Sequence, residues 1–140
     1  MRPQSIIMFE RLFLASLAVS VLSFVLSYRA VMDTVSRDLQ GMGVEPGFVL
    51  ALVGIGYAIY LLLWYLIAHK AANWAKWVLI VFLALSLVSL PAALAGPWTL
   101  TTLLGLSAYA LEVVAAVYLF RADAKAWLTG QAAIDPATFD

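Results

Sequence analysis

The chain contains no cysteine and a single histidine, His69. The first absence excludes disulfides, thiolate metal centres and cysteine nucleophiles, and the second excludes a multi-histidine metal site. Charge is scarce too: Asp, Glu, Lys and Arg make up 11% of the 140 residues, against roughly 25% in soluble domains. Eight basic and eight acidic residues cancel, which leaves no general attraction for nucleic acid or an anionic lipid surface. The sequence also lacks a glycine-rich nucleotide loop, a Gly-x-Ser-x-Gly elbow, a His-Glu-x-x-His helix and any pair of facing acids. No cofactor and no metal are implied, and an enzyme is not expected.

What remains is apolar. Hydrophobic residues reach 65%, where soluble domains have roughly 45–50%, and so few charges could not cover a soluble fold of this size. The composition predicts an integral membrane protein forming a single domain over residues 1–140. Four runs, at about 12–30, 47–68, 77–95 and 98–120, are long enough to cross ~30 Å of hydrocarbon at 1.5 Å per residue. Ala95-Gly96-Pro97 divides the last two runs, because glycine and proline end helices and favour turns. Pro91 removes one helical hydrogen bond within the third run and predicts a kink there. The first run reads as a retained helix rather than a signal peptide, since its core is long and Tyr28-Arg29-Ala30 makes a poor cleavage site. The predicted fold is an all-α membrane protein: an antiparallel bundle of four transmembrane helices with a short amphipathic helix in the outer loop.

Lysine and arginine set the orientation. Arg2, Arg11, Lys70, Lys76, Arg121 and Lys125 fall on one side of such a bundle, and only Arg29 and Arg37 on the other. The positive-inside rule then puts both termini in the cytoplasm, in a bacterial inner membrane. Trp74, Trp77 and Trp127 mark the inner interface and Trp98 the outer one.

Small residues recur at four-three-four spacing and suggest packing faces. The first span has Ser16, Ser20, Ser23 and Ser27, and the second Gly47, Ala51, Gly54 and Ala58. The third has Ser86, Ser89, Ala93 and Gly96, and the fourth Thr101, Gly105, Ala108, Glu112 and Ala115. Small side chains let helix backbones approach, and hydroxyls add interhelical hydrogen bonds.

Glu112 on the fourth stripe is the one charge well inside any of the runs. A carboxylate at that depth costs roughly 2.5–3.5 kcal/mol on insertion scales, so it faces protein or water and is a candidate functional group. It lies roughly 13 Å above Arg121 at helical rise. The same count from the inner ends of the other spans reaches Ser20, Tyr60 and the neighbourhood of Ser86, with Tyr57, Ser107 and Tyr109 within a turn or two. No basic residue is available at that level, so the acid is expected to be protonated and to donate a hydrogen bond. Three readings stay open: a neutral acid clamped by hydroxyls, a reversible proton or cation site, and a contact to another membrane subunit.

The outer loop, about 31–46, carries Val31, Val35, Leu39 and Met42 at helical spacing, and Gly41 and Gly43 would stop such a helix. Its acids Asp33, Asp38 and Glu45 lack the spacing of a calcium loop. His69 and Lys70 read as headgroup contacts. In the tail, 121–140, Ala122 to Leu128 is expected to continue the fourth helix.

The phrases Phe9-Glu10-Arg11-Leu12-Phe13-Leu14-Ala15-Ser16-Leu17-Ala18 and Tyr118-Leu119-Phe120-Arg121 resemble small uncharacterised four-helix proteins of bacterial inner membranes. The likeness spans most of the chain and implies no activity. The size and the lone membrane glutamate are also similar, by analogy, to small multidrug resistance transporters. That family's essential glutamate lies in the first helix and exchanges protons for a cationic drug; here the first span carries serines and the acid is in the fourth. The leading expectation is a non-enzymatic accessory or assembly protein, surrounded by membrane lipids and forming a homo-oligomer or docking with another membrane protein. The alternatives are a small proton-coupled transporter or channel using Glu112, and a binder of lipid or an apolar ligand between its helices.

Overall fold

The computed structural model describes residues 2–39 and 45–130. Five helices follow one another: α1 Gln4–Leu39, α2 Pro46–Lys70, α3 Asn73–Ala95, α4 Leu100–Tyr118 and α5 Ala122–Thr129. No strand occurs among the described residues. The first four helices are long and apolar enough to cross a membrane.

Two boundaries differ from the sequence expectation. α1 starts at Gln4 and runs unbroken for 36 residues, about 54 Å at helical rise. Val31 and Val35 therefore belong to its last turns and not to a separate amphipathic helix, while Gly41, Met42 and Gly43 lie outside the described residues. The reason is local: no glycine or proline occurs between Gln4 and Leu39, and Thr34 Oγ1 and Arg37 Nε donate to the carbonyls of Ala30 and Asp33 within the same helix. At the other end, α4 stops at Tyr118 and α5 is a distinct helix, not its continuation. Three successive bonds to the residue three back, from the N–H groups of Leu119, Phe120 and Arg121, tighten the chain into a turn. α5 then lays Ala124 and Leu128 into the core.

What holds that turn is distant in sequence. The Asp123 carboxylate accepts from the Ser5 backbone N–H at 3.1 Å and the Ser5 hydroxyl at 2.8 Å. Ser5 N–H is one of the unpaired donors in the first turn of α1, so a side chain of α5 caps α1 from outside. Partial burial alone raises the Asp123 carboxyl, but the hydrogen bonds from Ser5, from the Ala124 N–H and from its own N–H outweigh it and hold the group below its usual range.

The other connections are short. α2 ends at Ala71, whose backbone is left-handed at φ 52, and the Ala72 N–H returns to the Leu66 carbonyl at 3.0 Å. α3 passes through Pro91 to Ala95, and Thr99 caps α4 by accepting from the Thr102 N–H at 3.2 Å.

Side-chain burial is lopsided. The fully enclosed large residues are Ile6, Phe9, Phe13, Ile67, Leu79 and Leu119. They form one cluster with Leu63, Ala68, Ala75, Ala115, Ala124 and Leu128. All of these lie where the start of α1, the end of α2, the start of α3, the end of α4 and α5 meet; this is the core end. Toward the other, open end, α1 and α4 stay together, with Ser23 Oγ donating to the Thr101 carbonyl at 3.1 Å. α3 makes little contact with α4, despite the short link between them.

Candidate functional site

Glu112 lies just on the open side of this core. It lines a cavity of about 340 Å³ to which all four long helices contribute. α1 supplies Ser16 and Ser20, α2 Gly56, Tyr57 and Tyr60, α3 Ser86, and α4 Gly105, Tyr109 and Glu112. Ser20, Tyr60 and Ser86, placed at the depth of Glu112 by counting helical rise, are thus brought together with it around one space. Ser107 is exposed and donates to the Leu103 carbonyl of its own helix instead.

The floor is aromatic. The Tyr60 ring is stacked between Phe13, at 6.0 Å and 13°, and Phe82, at 5.9 Å and 20°. This row ties α1, α2 and α3 together and holds the Tyr60 hydroxyl in place beside Glu112 and Ser86. No hydrogen bond of good geometry joins Tyr60 to Glu112. Among the described residues, Glu112 Oε1 is fully shielded from solvent and has no partner.

The hydroxyls around it are turned mostly to their own backbones. Ser16 Oγ donates to the Phe13 carbonyl at 2.8 Å, Ser86 Oγ to the Phe82 carbonyl at 3.0 Å, and Tyr109 Oη to the Leu83 carbonyl at 3.4 Å. A hydroxyl that donates its proton keeps its lone pairs, so these groups offer acceptors to the cavity. No lysine, arginine or histidine lines it. A carboxyl group, three tyrosine rings and serine oxygens suit a cation that is also a hydrogen-bond donor. They make a poor metal site, and no group of three His, Asp or Glu occurs among the described residues.

The packing stripes fare unequally. Ser16 and Ala108 are buried, Ser23 and Ser27 half-buried, with Ser27 Oγ donating back to the Ser23 carbonyl at 2.8 Å. Gly54, Ala58 and Ser89 are exposed, and a Cβ added to Gly54 would meet nothing within 4 Å. α2 turns Tyr60, Leu63 and Ile67 inward in place of its small residues. Large side chains bury more surface per residue, and nothing in this uniformly apolar helix opposes that choice. Gly105 is exposed as well, yet it lines the cavity.

Gly56 and Val53 were not singled out from sequence, although both line the site. Counting back from Tyr60 by four and seven residues reaches them, so the helical period carried the signal.

Two further spaces adjoin the first. One of about 410 Å³ lies between α3 and α4, sharing Ser86, Gly105 and Tyr109 with the Glu112 cavity. The other, of about 390 Å³, lies between α2 and α3 and shares Gly56, Tyr60 and Ser86.

Fold and site together define a class: a helical chain with four helices able to cross a membrane and an acidic, tyrosine-lined cavity among them. No family model, curated protein or solved structure matches this chain. What bears on its function is the chemistry of the cavity itself.

Proposed function

We propose that the protein is a non-enzymatic, multi-pass protein of the bacterial inner membrane that binds a small cation at Glu112 and carries it in exchange for a proton. In this reading the helices form an antiparallel bundle with both termini in the cytoplasm, supported by the distribution of lysine and arginine. The observation that carries it is the shielded, unpartnered carboxyl oxygen of Glu112 on a cavity with no basic residue. A satisfied clamp would give that oxygen a hydrogen-bond partner; a site leaves it bare until a ligand moves the groups that cover it. A cation would draw the Glu112 proton off into water and take its place. With Tyr57, Tyr60 and Tyr109 as the other titratable lining groups, uptake grows as pH rises.

The test is flux in liposomes holding the purified chain, with sodium, potassium, ammonium and tetramethylammonium as candidate cations. A proton movement coupled to one of them, abolished by Glu112→Gln in a protein that still elutes as the wild type, is the expected result. Silence of the wild type with every one of them sinks the proposal.

A second reading, an accessory or assembly protein, is favoured by one feature. Ala51, Gly54 and Ala58 leave a strip of α2 exposed and free of bulk, which would let a helix of a second copy approach closely. A defined dimer in mild detergent, broken by Gly54→Leu, would support it; a monomer at all concentrations would not.

A further inference from the structure

Lys76 is the one charged residue that is buried among those described, at 6% exposed. Its Nζ sits 5.1 Å from the centroid of the Trp77 ring and 5.1 Å from that of Phe120. These two rings meet edge to face at 6.3 Å, so the ammonium has an aromatic wall on two sides. Lys125 of α5 is near enough for the two ammonium groups to repel one another. Among the described residues, the acids of this end are engaged elsewhere: Glu10 pairs with Arg2 at 2.7 Å, and Asp123 holds Ser5. Among the described residues, no carboxylate pairs with Lys76.

Two neighbouring cations, neither paired with a carboxylate among the described residues and one with its stem enclosed, attract an anion. Trp74 and Trp77 are exposed at 60% and 55% beside them, as tryptophans are at the level of lipid headgroups. A lysine whose stem is covered while its ammonium reaches that level is placed to meet a phosphate.

We propose that Lys76 and Lys125, walled by Trp77 and Phe120, hold the phosphate of an acidic phospholipid at the core end. The proposal needs the chain to lie in a membrane and is independent of any role for Glu112.

Native mass spectrometry of the full chain tests it. The protein, released from mild detergent, is offered phosphatidylglycerol and phosphatidylcholine of identical acyl chains in equal amounts. Phosphatidylglycerol adducts are expected to dominate. Lys76→Gln and Lys125→Gln should each lower that preference about fivefold, the size expected for one basic residue near an anionic surface. Lys76→Arg should restore it and shows that the position tolerates change. Lys70→Gln removes an exposed lysine and should leave it unaltered. Equal occupancy by the two lipids overturns the proposal, as does an effect of Lys70→Gln matching that of Lys76→Gln, which would mean bulk charge and no built site. Displacement of the lipid by excess inorganic phosphate would overturn the assignment to a lipid in favour of a soluble phosphate.

Discussion

A carboxyl oxygen shut away from solvent without a partner weakens the molecule that contains it. Glu112 Oε1 is such an atom, and removing an unsatisfied buried polar group restores about 1–3 kcal/mol. Glu112→Met, similar in length and apolar, should therefore unfold no earlier than the wild type in a denaturant titration in mild detergent. A clamp would behave in the opposite way and lose stability on the same substitution. Tyr60 separates ring from hydroxyl. Tyr60→Phe keeps the stack with Phe13 and Phe82 and should alter stability by no more than about 1 kcal/mol, the net worth of one hydrogen bond, while weakening cation binding at Glu112. Tyr60→Ala removes the middle ring and should cost about 3–5 kcal/mol, as loss of a packed aromatic does. The residues of this site were legible in the sequence because helical rise is fixed. Counting inward from each span's inner end put Ser20, Tyr60 and Ser86 level with Glu112, and they line one cavity with it. Depth is set by the backbone, whereas the face a residue shows depends on its neighbours, so Gly54 and Ala58 gave a face that α2 does not use.

At the scale of elements, the two turns at the core end carry separable costs. Ala71 sits at φ 52 at the end of α2, where a side chain crowds the following carbonyl by about 1–2 kcal/mol. Ala71→Gly should raise the denaturation midpoint by the equivalent of about 1 kcal/mol, an effect confined to this turn. The Asp123 cap acts between elements and depends on pH. Its folded carboxyl titrates below the usual value of 3.8, so its contribution is whole above that value and is lost as pH falls through the lower, folded one. Wild type and Asp123→Asn should accordingly differ in melting temperature at neutral pH and converge in acid. A difference that persisted unchanged into acid would place the role of Asp123 elsewhere. Neither the break before α5 nor the length of α1 was visible in sequence, for physical reasons. No glycine or proline marks the turn at Leu119–Arg121; its cause is Ser5, far along the chain. The end of α1 likewise lacks any breaker before Gly41, so the end of the apolar run suggested a boundary that the backbone had no reason to make.

On the scale of the whole molecule, the two ends do different things. The core end is shut by Phe9, Phe13, Leu79 and Leu119, none of them exposed. The open end has the space between α3 and α4, lined by Ser89, Thr102 and Gly105, which shares Ser86, Gly105 and Tyr109 with the cavity of Glu112. In the proposed reading, a ligand reaches Glu112 from water through the α3–α4 space. If both termini are cytoplasmic, that way opens on the outside. Because the chain has no cysteine, single replacements report on this directly. Ser89→Cys should react quickly with a membrane-impermeant thiol reagent added outside intact cells, and Ala75→Cys, enclosed in the core, should not react from either side. A bound cation should slow the reaction at Ser89→Cys, but not in the additional presence of Glu112→Gln. Gly105 gives the complementary measurement, since a Cβ there meets nothing within 4 Å. Gly105→Met can be accommodated by the fold while its side chain fills the junction, so the thiol at position 89 should stay reactive while flux through Glu112 falls. Labelling of Ser89→Cys only from the cytoplasmic side would invert the orientation and leave the one-ended cavity intact. Unslowed labelling at saturating cation would instead separate the α3–α4 space from the site.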